Sequence, residues 1–290
     1  MKQLPAKIKR RIDRFLPVEI DGLTLWPVTV DYWEEFRKCV PALEFMRQSL
    51  PVALLQIPLL TALFQIEIAN AAFTDGSGNA YRPFSCTLYA LWLALRLGPD
   101  VEFGEVLADR AKIVPDPKDP NGIESIIFVK KDQTGKDEYV QIFPRQYERI
   151  RPILAAQNGV RLYDENENPE LVYADKLLRA EKSPKLEEDF AKRVAWCAAL
   201  CHAEETEIYG WPILKFENRC EVLKRTLDYV IFGTGAASGL VKYEGGPPVP
   251  SPYFARSETA ADRLLTNGSA AADKAVRSGL EKAKSEHENL

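Results

Sequence analysis

Residues 126–159, IIFVKKDQTGKDEYVQIFPRQYERIRPILAAQNG, place a strand, a turn, a second strand and a helix in succession. The apolar runs 126–129 and 139–143 flank a polar DQTGKD turn, which is the signature of a β-hairpin. Residues 145–157 have helical character and stop at Asn158-Gly159. A hairpin joined directly to a helix predicts an α+β fold.

The composition is that of a globular protein. The chain has 290 residues, of which 46% are hydrophobic and 28% charged, and its formal net charge is −4. The length allows one large domain or two modest ones with an ample core. A slightly acidic balance lacks the basic face that phosphate contacts need, so we expect no nucleic-acid partner. The five cysteines are odd in number and irregularly spaced, which indicates free thiols in a reducing compartment.

The first 17 residues carry six basic side chains and one acid without an apolar core, so we expect a basic arm or solvated helix and no signal peptide. Next, VEIDGLTLW at 18–26 predicts a second hairpin, because Asp-Gly accepts the positive φ of a tight turn. The apolar run 52–64 is too short to span a bilayer and is interpreted as core, with no membrane partner.

Helical patterns lie between the two hairpins. Asp31 with Glu34 predicts a capping box for a short helix through Cys39. Residues 42–73 predict helix interrupted at Pro51 and kinked near Pro58. The sequence also predicts a loop at 74–83, an apolar helix at 86–97 closed by Gly98, and a loop at 115–122.

The back half predicts helices. Asn168-Pro169 and Ser183-Pro184 each place an N-cap side chain before a proline at the first helical position. The second of these helices has an apolar stripe of Leu186, Phe190, Val194, Cys197 and Cys201, and the helix after Pro212 has one of Phe216, Cys220, Leu223, Leu227 and Ile231.

The chain is therefore predicted to be mainly α with small antiparallel hairpins, a bundle-like helical body and an extended C-terminal arm. The predicted units are a basic N-terminal arm (1–17), an α+β domain with two hairpins (18–158), a helical domain (159–244), and a Pro-rich segment with a tail (245–290). The predicted boundary between the two domains is the loop around residues 159–168.

The sequence contains two histidines, and neither suits catalysis. His287 lies three residues from the end of the sequence, and His202 follows Cys201 directly. Adjacent residues of a helix point about 100° apart, so these two cannot form a Cys-His dyad. We therefore expect no catalytic residues and no enzyme.

Three cysteines and His202 are residue types that could form a zinc site. Cys197, Cys201 and Cys220 lie on the apolar stripes of two helices, whereas structural zinc usually takes cysteines two to four residues apart in turns. Buried thiols that pack as small hydrophobes are favoured, and no cofactor is expected. A small cytosolic metalloprotein using these thiols stays as an alternative.

Two further patterns imitate sites. GTGAASG at 233–239 has the glycines of a dinucleotide loop but follows a helix instead of a strand, so a helix exit or joint is favoured. The acidic clusters at 187–189 and 204–205 are interpreted as solvated helix faces.

A proline-aromatic segment at 247–254, PPVPSPYF, is the most unusual stretch. Dense proline stiffens a chain into a polyproline II rod that loses little entropy on docking. It is either a linker or a docking segment, and its closing rings favour docking on a partner or on the protein's own body. The candidate binding residues are Pro247, Pro250, Tyr253 and Phe254.

Several stretches together resemble tail-module proteins of bacteriophages and prophages of Gram-positive bacteria, the group of tail assembly chaperones and minor tail components. The similar stretches are LTLWPVTVDYWEEF (23–36), MRQSLPV (46–52), IRPILAAQNGVRLYDENENPEL (150–171), and the run from WPILKFENRC (211–220) to YEGGPPVPSPYF (243–254).

The resemblance carries no catalytic residues. It implies a protein that works in the host cytoplasm on tail tube, tape-measure or baseplate proteins, as an assembly factor. A structural component of the finished virion tail is the alternative, and a homo-oligomer is compatible with both.

Overall fold

The computed structural model describes residues 4–69, 73–74, 80–97, 106, 110–131, 137–162 and 189–238, and these have the predicted α+β fold. The helices in this part are α1 (Ala6–Asp13), α2 (Trp33–Leu43), α3 (Leu59–Ile68), α4 (Pro83–Leu95), α5 (Pro144–Gln157), α6 (Phe190–Cys201), α7 (Glu205–Tyr209) and α8 (Ile213–Ala237). The strands are β1 (Val18–Ile20), β2 (Leu23–Leu25), β3 (Phe73–Thr74), β4 (Ala80–Tyr81), β5 (Ala111–Asp116), β6 (Asp119–Lys131) and β7 (Asp137–Ile142). None of the described helices is long and apolar enough to cross a membrane.

Both predicted hairpins are confirmed. In β1–β2, Asp21 and Gly22 take φ of 50° and 78°, as a tight Asp-Gly turn requires. In β6–β7, Ile126 pairs with Ile142 and Phe128 with Val140. The prediction of only two hairpins is wrong, because β3 pairs with β4, and β5 pairs with β6 to give a sheet of order β5-β6-β7.

The predicted loop at 115–122 lies largely in strands β5 and β6. Pro115 sits in β5 where the register shifts on both sides of it. A proline is tolerated there because a bulge in an edge strand needs no ladder hydrogen bond from its nitrogen.

The predicted start of α2 is wrong. A short 3-10 turn over Val30–Tyr32 includes Asp31, and Tyr32 precedes the helix with no side-chain cap. The prediction of a helix kinked near Pro58 is also wrong, because single 3-10 turns replace the helix before it and Pro58 is the N-cap of α3.

Helix α4 is the central helix of the main core, and almost all of its residues are buried. It begins at Pro83, earlier than predicted. It ends when Arg96 takes a left-handed conformation with φ of 51°, two residues before the predicted cap at Gly98, which lies outside the described residues. The Arg96 guanidinium lies 4.2 Å from the centroid of the Trp26 ring, a contact that offsets this strain.

The start of α4 is capped from α3. A carboxylate oxygen of Glu67 accepts the backbone N–H groups of Phe84 and Ser85 at 3.0 and 3.1 Å, and Glu67 also accepts the Ser85 hydroxyl. A negative charge at a helix N-terminus complements both the unpaired N–H groups and the helix dipole.

We expect Glu67→Ala to lower the free energy of unfolding by about 2 kcal/mol, because three donors at the buried helix start lose their acceptor. Urea denaturation followed by circular dichroism measures the change. Glu67→Gln, which keeps an accepting oxygen, is expected to lose less. An alanine variant as stable as the wild type would contradict the proposed capping role.

The described structure contains two hydrophobic cores. The main core is built mainly from α1 to α5 and the strands, includes Leu88, Phe128 and Tyr147, and takes in Ile213 from the start of α8. The second core lies between α6, α7 and α8 and includes Val194, Ile208 and Phe216, joined by Val30 from the N-terminal part.

Backbone and side-chain contacts join the two cores. Thr29 and Pro212 form an antiparallel bridge, and the Ile213 N–H donates to the Val28 carbonyl at 2.9 Å. The Trp33 ring stacks on Phe190 with centroids 4.4 Å apart. The domain boundaries stay predictions, and the boundary loop is described only up to residue 162.

The N-terminal arm is a packed helix over part of its length. Ile12 of α1 is buried in the main core, and Ile8 packs against that core. Helix α6 begins at Phe190, and Asp189 caps it by accepting the Lys192 N–H. The predicted helix starts at Asn168-Pro169 and Ser183-Pro184 lie outside the described residues.

Candidate protein-binding surface

Helix α8 begins directly after Pro212, as predicted, and packs into the second core through its first turns. Phe216 is fully buried and Cys220 is nearly so. Leu223, the next residue of the predicted stripe, only packs against the edge of this core. The helix then continues for more than three further turns to Ala237.

The part of α8 beyond Leu223, together with Val222, exposes large apolar side chains. Their exposed fractions are 42% for Val222, 39% for Leu227, 45% for Tyr229, 54% for Val230 and 63% for Ile231. We call these five residues the α8 surface. At about 100° per residue, Leu227, Val230 and Ile231 lie on the side of the helix that Phe216 faces, whereas Val222 and Tyr229 lie about 120° and 140° away from Phe216. Single exposed apolar residues are normal, but three neighbouring ones on one side of a helix mark a candidate interaction surface.

The spacing of the apolar residues along α8 explains why the exposed surface continues from the buried core. Phe216, Cys220 and Leu223 are followed by Leu227 and Val230 at alternating steps of four and three residues. This spacing keeps one face of a helix turned towards a partner helix. Because α6 ends at Cys201, the face that packs on α6 runs on beyond the end of that neighbour.

A groove of about 500 Å³ lies between α6 and α8. It is lined by Arg193, Trp196, Glu217, Asn218, Cys220, Glu221 and Lys224, and none of the five residues of the α8 surface lines it.

The charges at the groove are largely paired within the protein. Arg193 forms an ion pair with Glu217, whose other oxygen accepts the Trp33 indole N–H at 3.3 Å. Arg225 pairs with Glu221 one turn away along α8. The groove is therefore lined mainly by charged and polar side chains, with Trp196 and Cys220 as its apolar members.

The three thiols of the zinc interpretation belong to the second core. Burial, reinforced by Cys220 and Cys201, raises the pKa of Cys197 to about 12, and burial raises the pKa of Cys220. The raised pKa values keep the Cys197 and Cys220 thiols protonated at neutral pH, and both pack as apolar groups. Among the described residues, no group of three His, Cys, Asp or Glu side chains has the arrangement of a metal site.

The remaining sequence candidates do not meet at one place. His202 is exposed and ends α6 in a left-handed conformation. The helix exit predicted in GTGAASG is confirmed but falls late in the motif, because α8 continues through 233–236 and ends at Ala237. Among the acidic clusters, Asp189 is the cap of α6 and Glu204 precedes α7, whereas 187–188 lie outside the described residues.

A second cavity, of about 390 Å³, borders the β5–β6 turn and includes Asp116, Asp119 and Arg145. The two aspartates accept N–H groups of their own turn, from Lys118 and Asn121 at 2.8 and 3.0 Å. Their role is therefore explained by the turn itself.

The predicted docking residues Pro247, Pro250, Tyr253 and Phe254 lie outside the described residues. The α8 surface was missed in the sequence, although Leu227 and Ile231 were assigned to a stripe. The run LDYVIF at 227–232 could have revealed this surface. Its apolar residues lie around most of the helix, so they cannot all be buried by packing of one side.

Comparison with protein-family models, with curated proteins and with solved structures finds no match to this chain.

Proposed function

We propose that this protein is a non-enzymatic phage tail-morphogenesis protein that acts by contact with other tail proteins, in the manner of a tail assembly chaperone. The observation that supports this proposal is the α8 surface, in which Leu227, Val230 and Ile231 continue the core-facing side of the helix and are 39% to 63% exposed. The assignment to phage tails rests on the resemblance of the sequence.

The partner that fits this surface is an amphipathic helix or an apolar groove on another protein. Helix-in-groove recognition uses anchors at the i, i+3, i+4 and i+7 positions of one face. Leu227, Val230 and Ile231 provide the i, i+3 and i+4 positions of that spacing. Tail tube, tape-measure and baseplate proteins are the proposed partners, and the host cytoplasm is the proposed place of binding.

The apolar character of the α8 surface also fits a permanent contact, since obligate interfaces are more hydrophobic than transient ones. A structural component of the virion tail is therefore the second candidate. Mass spectrometry of purified particles separates the two: a retained component is present in the particle, whereas an assembly factor is absent from it.

We expect the full chain, co-expressed with the tail tube, tape-measure or baseplate proteins of a phage that encodes it, to co-purify with at least one of them. The capsid protein of the same phage serves as the control and should not co-purify. Failure to capture any tail protein, together with a stable solitary monomer, would contradict the proposal.

A further inference from the structure

We propose that two copies of this chain associate through α8, whose helices pair antiparallel along the side that carries Leu227, Val230 and Ile231. These three side chains are 39%, 54% and 63% exposed. Residues 229–238 carry no charged side chain, and most of the described side chains in this stretch are exposed. The exposed side of a solvated helix is normally polar, so an uncharged and apolar side is suited to a protein contact.

The spacing along α8 fits a pair of helices. Leu223, Leu227, Val230 and Thr234 follow one another at steps of four, three and four residues, which is the heptad spacing of two helices in contact. Within the chain, α6 covers this side only as far as Leu223, which packs on the edge of the second core. The free length from Leu223 to Thr234 is about 17 Å, or three turns.

An antiparallel pair is self-complementary over this length. When Leu227 of one copy lies opposite Val230 of the other, a two-fold axis generates the same contact a second time. The same register places Leu223 of each copy opposite Thr234 of the other. Thr234 and Ala237 are small and exposed, so the helix end of one copy has room beside the end of α6 in the other.

The charges beside the contact favour this orientation. In the antiparallel pair, Ile231 of one copy lies next to Lys224 of the other, whose methylene stem covers apolar surface while its ammonium group stays in water. A parallel pair would instead bring Lys224 next to Arg219 of the second copy, because it joins positions five residues apart along the two helices. Two like charges would then meet, so the parallel orientation is disfavoured.

The small size of the contact sets its strength. Three turns of helix from each copy bury less than the roughly 1,200 Å² that stable complexes exceed. We therefore expect a weak dimer, with a Kd on the order of 10 μM. The association concerns this chain alone and does not depend on the proposed function. If the proposed function also holds, a tail protein that binds the same side of α8 competes with the second copy.

The test is sedimentation velocity of the full-length protein, without any tail protein, from about 1 to 200 μM. The wild type is expected to change from monomer to dimer over this range. Val230→Glu should raise the Kd about tenfold or more, because each copy would bury an unpaired carboxylate. Val52→Glu makes the same change at a valine that is 83% exposed and should change the Kd less than about twofold.

A second variant, Leu227→Lys, tests the register. By itself, each of Leu227→Lys and Val230→Glu places an unpaired charge in the contact, so both proteins are expected to be monomeric. In an equimolar mixture, the antiparallel register brings the new ammonium group opposite the new carboxylate, so a dimer of the two variants should form. Circular dichroism confirms that the variants are as folded as the wild type.

A wild type that stays monomeric over the whole range would overturn the proposal, as would a Val230→Glu protein that dimerises as well as the wild type. A mixture of the two variants that stays monomeric would overturn the antiparallel pairing. No tail protein takes part in these measurements, so the proposed function stands or falls separately by co-purification.

Discussion

Phe216→Ala is expected to lower the free energy of unfolding of the second core by about 4 kcal/mol, the upper range for removal of a buried aromatic ring. Phe216 is fully buried, and its ring meets Phe190 edge-on at 5.9 Å and the Arg193 guanidinium at 5.1 Å. This core has only eight buried hydrophobic residues in the described part of the chain, so few contacts remain to compensate.

The measurement is thiol labelling in the absence of denaturant. As the second core opens, Cys197 and Cys220 lose the burial that raises their pKa, so the reactive thiolate fraction increases. Cys39 and Cys86 belong to the main core and are expected to stay protected. Selective labelling would support the predicted division between an α+β domain and a helical domain.

Phe128→Ala is the matched control, since it makes the same change at a fully buried position of the main core. It should expose Cys39 and Cys86 instead. If both variants expose all buried cysteines together, the two cores unfold as one unit and the predicted division at residues 159–168 is wrong.

Trp33→Ala is expected to lower the free energy of unfolding by about 3 kcal/mol, because it removes an aromatic contact between the two cores. The Trp33 ring stacks on Phe190, its N–H donates to Glu217, and the Arg37 guanidinium lies 5.1 Å from its centroid. Calorimetry measures the change, and we expect the single wild-type transition to broaden as the cores become less coupled.

Trp33→Phe separates stacking from hydrogen bonding at this position. The phenyl ring keeps the stack on Phe190 and loses only the N–H, so a loss of about 1 kcal/mol is expected. Equal losses for the alanine and phenylalanine variants would show that the hydrogen bond, not the ring contact, holds the cores together.

Local patterns in the sequence were sufficient for the elements that depend on neighbouring residues. The Asp21-Gly22 turn and the helix end at Asn158-Gly159 were both predicted, and both contain a residue that takes positive φ, Gly159 at 72°. The start of α4 at Pro83 was not predicted, because Pro83 was assigned to the loop at 74–83, whereas it takes the first turn of the helix and the cap is Glu67 from another helix. A cap supplied from distant sequence leaves no local signal.

The candidate site shows the same limit. The apolar stripe of α8 was visible in the sequence, but the position at which it leaves the core depends on where α6 ends, which is a property of packing. Cys197 and Cys220 were predicted to pack in the core as small hydrophobic side chains, and their burial agrees with that interpretation. Assignment of the surface to phage tail proteins stays a prediction.

The affinity of a purified tail partner for two valine variants tests the central claim most directly. Val230→Glu places a charge within the α8 surface, whereas Val52→Glu makes the same change at a valine that is 83% exposed elsewhere. Burying an unpaired carboxylate at an interface is costly, so Val230→Glu should raise Kd about tenfold or more and Val52→Glu less than about twofold. An unchanged Kd for Val230→Glu, or an equal rise for both, would contradict a function exerted through the α8 surface.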